Sequence, residues 1–532
     1  MWKHVSILLP ETTKKFQLYT ITAMLLCIPA FLLNLGMAPF IGDEAIRALV
    51  AYEMMLSDNY LVPTMRGDFY FSKPPLYNWI LIGFFKLFGG VNEWVSRIPT
   101  VLFSWMFTGL IWFFNRHKLD HGRHAILLAF TFLTCGRMLF YDSFLGLIDI
   151  FFSMITYTLM MSAYHYAKEG KWGHMYFIIY ALSVVGFMLK GLPIIHFTAV
   201  AIVVVHFLFG QWKKLFSLYH ILAAITAGAL LLLYFYFYNL YREASHTIDP
   251  LVDQAARRTI LKYGVGDVIK HIITYPFENI YHFFPWTLLG ILAFQNGIWK
   301  RVTENKYIYY LVLSFVLNFA VYWVSPEVYP RYILMLIPLI FSVWIYLYGF
   351  ELGHQHLRMR LVSVVFIGLT WLVPVLILTQ ISNPKLAYVD GATWKLILLV
   401  LGLLATAVLY WKDQPNRPMI FVNYLLLLRI GFNLLIVPVR AVTGDDEYYK
   451  REAVRIGQTY RDIKLFEDTQ LNHITTFYIT QQTGKITNHS ADLKEATYYI
   501  VDSCSAGQFM LIDSFPDASF CGTRWVVRGQ KQ

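Results

Sequence analysis

Residues 17–36 read QLYTITAMLLCIPAFLLNLG, and Met37-Ala38-Pro39-Phe40-Ile41-Gly42-Asp43-Glu44-Ala45 follow without a break. The first stretch is uncharged and has the length of about 20 apolar residues that crosses a hydrocarbon core. It has no small-residue cleavage site and runs straight into a charged loop, so it is expected to be a retained helix rather than a signal peptide. The second stretch sets two adjacent carboxylates at its end.

Working outward, comparable runs recur to about Arg440 in a chain of 532 residues that is 57% hydrophobic, 17% aromatic and 14% charged. Mean hydropathy is +0.50, and an ordinary soluble protein carries about 25% charged residues. The spacing predicts about thirteen spans, near 17–36, 94–115, 122–140, 147–167, 173–189, 191–210, 216–240, 280–297, 307–324, 331–350, 359–380, 394–411 and 418–438. Barrel strands alternate apolar and polar residues, whereas these runs are solid. The expected fold class is an all-α polytopic membrane protein.

Lys and Arg number 44 against 33 Asp and Glu, a net charge of +11. In a soluble chain that excess would suggest nucleic acid; here position matters more than sum, and no nucleic-acid partner is expected. With a cytoplasmic N-terminus, the inside connections hold Arg116, Lys118 and Arg123; Lys168 and Lys171; Lys213 and Lys214; Lys300, Arg301 and Lys306; Arg358 and Arg360; Lys412 and Arg417. Each is basic, as the positive-inside rule requires.

The outer connections then include two long ones, 37–93 and 241–279, and long loops are commonly functional. Both carry aliphatic and aromatic residues at helical spacing, so amphipathic helices along the outer boundary are expected. The spans and their loops make a membrane domain over 1–440. Beyond it, 441–532 is mixed polar, with a helix-like stretch from Asp445 to Leu465 and β-like runs at 473–479, 496–502 and 524–528. That pattern predicts a small extracytoplasmic α/β domain. Cys504 and Cys521 lie in it, where an oxidising compartment permits a disulfide; Cys27 and Cys135 fall in or beside spans as packing residues. The sequon Asn488-His489-Ser490 carries little weight as a three-residue match.

The outer face gathers charge. Asp43 and Glu44 suit either a helix N-terminus, where acids are favourable, or a general base or metal ligand at a membrane-facing cavity. Lys73 precedes Pro74-Pro75, a pair that stiffens the turn and lets a helix begin; it suits a phosphate or a snorkelling interfacial position. Arg137, Asp142 and Asp149 surround the turn after the third span, and an acid inside an apolar segment marks a cavity or a buried pair. An Arg137–Asp142 pair accounts for Asp142 better than for Asp149. Lys190 sits in Leu189-Lys190-Gly191-Leu192-Pro193, and Arg331 in Pro330-Arg331-Tyr332. A planar guanidinium suits bidentate phosphate contact, or anchors an interface.

In this order, Gly-Asp-Glu-Ala after a first span, Lys-Pro-Pro-Leu-Tyr, an acid after the third span, Leu-Lys-Gly-Leu-Pro, Phe-Phe-Pro-Trp and Arg-Tyr resemble the GT-C superfamily of membrane glycosyltransferases. The closest branch contains the protein O-mannosyltransferases and the transferase that places aminoarabinose on lipid A, and the likeness covers about residues 15–350. It implies transfer of a sugar from a polyprenyl-phosphate donor to a lipid, protein or glycan acceptor at the outer face, with inversion. It implies catalytic or acceptor-orienting acids at Asp43, with Glu44 beside it, and at Asp142 or Asp149. Donor-phosphate contacts are implied at Lys73, Lys190 and Arg331. Where many relatives carry a lysine, this chain reads Ser325-Pro326-Glu327-Val328-Tyr329-Pro330-Arg331, so the cation moves to Arg331.

Those cations would neutralise the leaving phosphate, and Asp43 would align and deprotonate the acceptor. A divalent metal would draw on the carboxylates and His271 or His282, but no metal-ligand spacing is present, so no cofactor is assigned. The competing classes are a lipid flippase or transporter and an assembly protein. A transporter is expected to break helices near the midplane, whereas these charges cluster at span ends. An assembly role leaves Asp43 and Lys73 unexplained. Basic inside loops and the resemblance point to a bacterial inner membrane with the site facing the periplasm.

Overall fold

Backbone inside hydrocarbon must bond to itself, and a helix does so within each segment. The computed structural model describes residues 10–70, 72–119, 122–241, 264–351, 357–495, 497–503, 509–518 and 522–529. In chain order the first helices are α1 (Pro10–Leu32), α2 (Asp43–Leu56), α3 (Leu76–Phe88), α4 (Glu93–Asn115), α5 (Gly122–Leu133), α6 (Asp149–Lys168), α7 (Trp172–Lys190), α8 (Pro193–Phe209) and α9 (Leu218–Asn239). They continue with α10 (Val265–His282), α11 (Ile298–Glu304), α12 (Lys306–Trp323), α13 (Ile337–Glu351), α14 (Leu357–Leu378), α15 (Ala392–Lys412), α16 (Arg417–Gly431), α17 (Val437–Thr443), α18 (Asp445–Thr459) and α19 (His473–Thr483).

Among the described residues, 8 helical segments are long and apolar enough to cross a membrane: α1, α4, α7, α9, α12, α14, α15 and the run through α16 and α17. Shorter apolar helices α3, α5, α8 and α13 pack among them. The 20-residue α6 is buried along most of its length, the core of the bundle around which α4, α7 and α8 assemble. Successive long helices run antiparallel, so the basic connections collect at one end and Asp43, Lys190 and Arg331 at the other. Tyr19 near the start of α1 bonds Asp413 at 3.2 Å, which fixes the N-terminus at the basic end. Cys27 and Cys135 are buried packing residues.

The expected span at 280–297 is not one helix. α10 ends at His282, and after Pro285 the chain turns into a short 3-10 helix, Trp286–Ala293. Proline lacks an N–H and disfavours helix in the residue before it, so an apolar run becomes two pieces. Of the long loop 241–279, residues 242–263 lie outside the described residues, and α10 covers the remainder.

The loop 37–93 contains α2, a two-stranded hairpin of β1 (Thr64–Met65) and β2 (Asp68–Phe69), and α3. Arg66 and Gly67 turn the hairpin with φ of 61° and 78°, the left-handed pair that matches strand twist. Both carboxylate oxygens of buried Glu53 on α2 hold that turn, accepting Arg66 N–H at 2.6 Å, Gly67 N–H at 3.2 Å and the Thr64 hydroxyl at 3.0 Å.

The C-terminal unit packs α18 and α19 on a mixed sheet of β3 (Lys464–Phe466), β4 (His489–Ser490), β5 (Tyr498–Asp502), β6 (Leu511–Pro516) and β7 (Thr523–Arg528), in the order β4-β3-β5-β7-β6. β3 runs parallel to β4 and β5, while β7 is antiparallel to β5 and β6. The expected strand at 473–479 is instead helix α19. Its Thr, Ile and Phe suit strands, but Asn472 caps the N-terminus by accepting Ile474 N–H at 2.9 Å, and residues 474–480 are all buried. Burial on every side overrides the strand preference. Cys504 and Cys521 lie outside the described residues.

Candidate active site at the loop-bearing end of the bundle

Gly42, at φ 56°, bends the chain from the end of α1 into α2, which has no side-chain N-cap. Asp43 and Glu44 thereby begin α2 on different faces. Glu44 turns inward and is fully buried against Arg97 of α4, with Arg97 Nε and Nη2 each donating at 2.9 Å. Glu44 also accepts Gly146 N–H at 2.6 Å and Ile41 N–H at 3.0 Å. Arg97 donates further to the carbonyls of Leu35, Ala38 and Pro39 at 2.9, 2.8 and 2.8 Å. The Glu44 oxygens are occupied in tying the elbow between α1 and α2 to α4.

Asp43 faces the other way and stays half-exposed, 51%. Its Oδ2 accepts Arg331 Nη2 at 2.7 Å, Arg331 Nε lies 3.5 Å from Asp149 Oδ2, and Asp149 Oδ1 accepts from Lys190 Nζ. Four residues from α2, the 3-10 turn Pro330–Ile333, α6 and α7 thus form one row of alternating charge. Asp149 stands in the first turn of α6 and Lys190 in the last turn of α7, the two helix ends that favour those signs. Aromatic faces pack the cations: Lys190 lies 4.2 Å from the Tyr332 ring centroid and Arg331 4.5 Å from that of Tyr329.

The two acids after the third span separate. Asp142 is closed off by Arg137, whose Nε and Nη2 donate to it at 2.9 and 2.6 Å, while Asp149 joins the row. Arg137 and His282 line a mostly apolar cleft of about 460 Å³. His271 sits three turns away from His282 on α10, about 16 Å along the axis, with Nε2 3.3 Å from the Tyr322 carbonyl. The two histidines cannot share an ion, and among the described residues no group of three or more His, Cys, Asp or Glu is arranged to hold one. Lys73 lies half-buried between the hairpin and α3, on a segment held by buried Pro74 and Pro75.

Sequence reasoning missed Arg47. One helical turn after Asp43 it shares that face of α2, is 8% exposed and donates to the Tyr70 hydroxyl at 2.9 Å. Its Nη1 is buried without a partner among the described residues. The (i, i+4) spacing from Asp43 was the available signal.

The C-terminal unit closes over this end. Tyr478 of α19 accepts Phe40 N–H at 3.2 Å and donates to Glu93 Oε1 at 2.7 Å; Lys450 donates to the same oxygen at 2.6 Å. The Phe40 and Phe477 rings meet edge to face at 4.8 Å. On the other side Arg66 Nη1 donates to the Leu471 carbonyl at 2.9 Å, and His489 Nε2 lies 3.6 Å from Asp68. These contacts frame the segment that carries Asp43.

Residues 72–238 match the family Dolichyl-phosphate-mannose-protein mannosyltransferase. The crystal structure of ArnT from Cupriavidus metallidurans bound to undecaprenyl phosphate superposes with a TM-score of 0.70 at 16% identity, over 97% of this chain and 98% of that one. The chain has the fold of this ArnT. The apo crystal structure of the same ArnT gives a TM-score of 0.68 at 17% identity, again over 97% and 98%. An uncharacterized protein of Aquifex aeolicus (strain VF5) is 31% identical over 122 residues, 23% of this chain and 23% of that protein. A bundle of this fold with these apolar helices is an integral membrane protein.

Proposed function

We propose that this chain is a membrane glycosyltransferase that moves a monosaccharide from a polyprenyl-phosphate donor to an acceptor at the membrane face where Asp43 stands. The observation that carries the reading is the row Asp43–Arg331–Asp149–Lys190, set across four elements at the end of a GT-C bundle. An ArnT that holds undecaprenyl phosphate over nearly the same full-length fold supports the donor class.

Lys190, Arg331, Lys73 and Arg47 bind and neutralise the donor phosphate. Fixed cations in a site largely closed to water stabilise the charge that develops as the sugar–phosphate bond breaks. An acceptor oxygen attacks the anomeric carbon from the opposite side, and the bonding pair leaves with the polyprenyl phosphate, so the configuration inverts. Asp43, the exposed end of the row, orients the acceptor. Asp149 holds Lys190 and Arg331 in place. The acceptor is a lipid, a protein or a glycan, and the setting is a bacterial inner membrane with the site toward the periplasm.

The test is release of polyprenyl phosphate by the purified full-length protein from a panel of radiolabelled polyprenyl-phosphate monosaccharides. Wild type is expected to turn over one donor, and Asp43→Asn, Lys73→Ala and Lys190→Ala are expected to lose turnover with folding intact. A protein that neither binds nor turns over any of the panel refutes the reading.

A further inference from the structure

At the basic end of the bundle, opposite Asp43, the 3-10 helix Trp212–Phe216 joins α8 to α9. Its sequence, Trp212-Lys213-Lys214-Leu215-Phe216, sets two lysines between aromatic residues, and Phe216 is 85% exposed. Exposed aromatic rings beside lysines at the end of an apolar helix mark the level of lipid headgroups.

Between this segment and the start of α7 lies an open groove of about 610 Å³. Its lining carries Lys171, Lys214 and His174 beside Phe177, Leu218 and Tyr219. Gly173 is part of the wall, and a Cβ there would stand 3.3 Å from the Tyr219 ring, so glycine admits that ring against α7. Both lysines are exposed. Lys171 Nζ contacts Glu169 at 2.7 Å, while Lys214 has no ion pair among the described residues. Below the lysines, α9 packs on α7 and is otherwise exposed along most of its length, which continues the apolar wall toward the bilayer interior. The positive-inside rule accounts for lysines on this side. It does not account for a groove that gathers two of them over an apolar wall.

We propose that this groove binds one anionic phospholipid of the leaflet on the basic side. Its phosphate meets Lys171 and Lys214, and its chains run past Phe177 and Leu218 along α7 and α9. Basic pockets between spans on the cytoplasmic side suit such headgroups. A free phosphate would use the lysines alone, whereas the lining matches both ends of an amphiphile. Neither lysine belongs to the row at Asp43, so the site stands or falls independently of the transferase reading.

The experiment uses the full-length protein in a neutral detergent, with phosphatidylglycerol, phosphatidylcholine and inorganic phosphate as probes. Bound lipid is counted by native mass spectrometry and melting is followed with and without each probe. A lysine beside an anionic lipid contributes about fivefold in affinity, so Lys171→Gln with Lys214→Gln should weaken phosphatidylglycerol binding about 25-fold. Wild type should bind one phosphatidylglycerol in preference to phosphatidylcholine and melt higher with it, since a ligand of the folded state stabilises that state. The double variant should lose this rise yet melt like wild type in detergent alone. Lys300→Gln with Lys412→Gln removes two exposed lysines from other basic connections and should leave binding within about twofold. An equal loss in that control, equal binding of phosphatidylcholine, displacement of the lipid by millimolar phosphate, or no bound lipid on wild type each overturns the proposal.

Discussion

Replacing Glu44 by alanine separates position from chemistry at the two adjacent acids. The change deletes an acceptor of four hydrogen bonds, two from Arg97 and one each from Gly146 and Ile41. Arg97 is fully buried and keeps only three carbonyls. Breaking a buried ion pair by removing one partner costs about 3–5 kcal/mol, and a buried N–H left without an acceptor adds to it. At about 2.1 cal/mol/K of unfolding entropy per residue, a loss of about 4 kcal/mol in a membrane domain of about 440 residues lowers the unfolding midpoint by about 4 °C. The assay is the fraction of protein that stays monodisperse in detergent after heating, compared with Asp43→Ala, which should melt like wild type yet fail to transfer sugar. Glu44→Gln keeps one acceptor oxygen and should fall between. If Glu44→Ala melts with wild type and loses turnover, Glu44 acts in the chemistry and the structural assignment is wrong.

Four further outcomes are expected. Gly146→Ala should destabilise by about 1–3 kcal/mol, because a Cβ there would stand 2.9 Å from the Ser96 carbonyl; heating curves check it. Gly67→Ala puts a side chain onto Asn488 at positive φ, so limited proteolysis should cut between α2 and α3 faster than in wild type. Tyr478→Phe removes the bond to Glu93 and the acceptor for Phe40 N–H, and should lower transfer more than undecaprenyl phosphate binding. Because burial holds His473 below about 6.5 in the folded chain, the unfolded state binds more protons in that window. Stability should therefore fall as pH drops below about 6.5, and His473→Gln should flatten part of that slope in melting scans.

Much of the bundle was legible because hydrocarbon imposes one solution on a long apolar run, and charge asymmetry orders the ends. Asp43, Asp149, Lys190 and Arg331 stood out for the same reason, as charges at the tips of apolar segments. Distance along the chain hid the rest. Glu44 and Asp43 look alike in sequence, and only Arg97, brought alongside by α4, distinguishes them. Asp142 and Asp149 are separated by which cation reaches each. Residues 473–479 spell a strand locally, and their burial against Phe40 makes them a helix. The break at 280–297 needed Pro285 to outweigh an unbroken hydropathy signal.

The bond between Phe40 N–H and Tyr478 joins residues 438 positions apart. During synthesis the span that delivers Asp43 enters the membrane near the start, while its cover leaves the ribosome near the end. For nearly the whole of translation the nascent chain holds an unroofed site. A premature stop anywhere before α19 should therefore yield an inserted protein that accumulates in the membrane without a finished site.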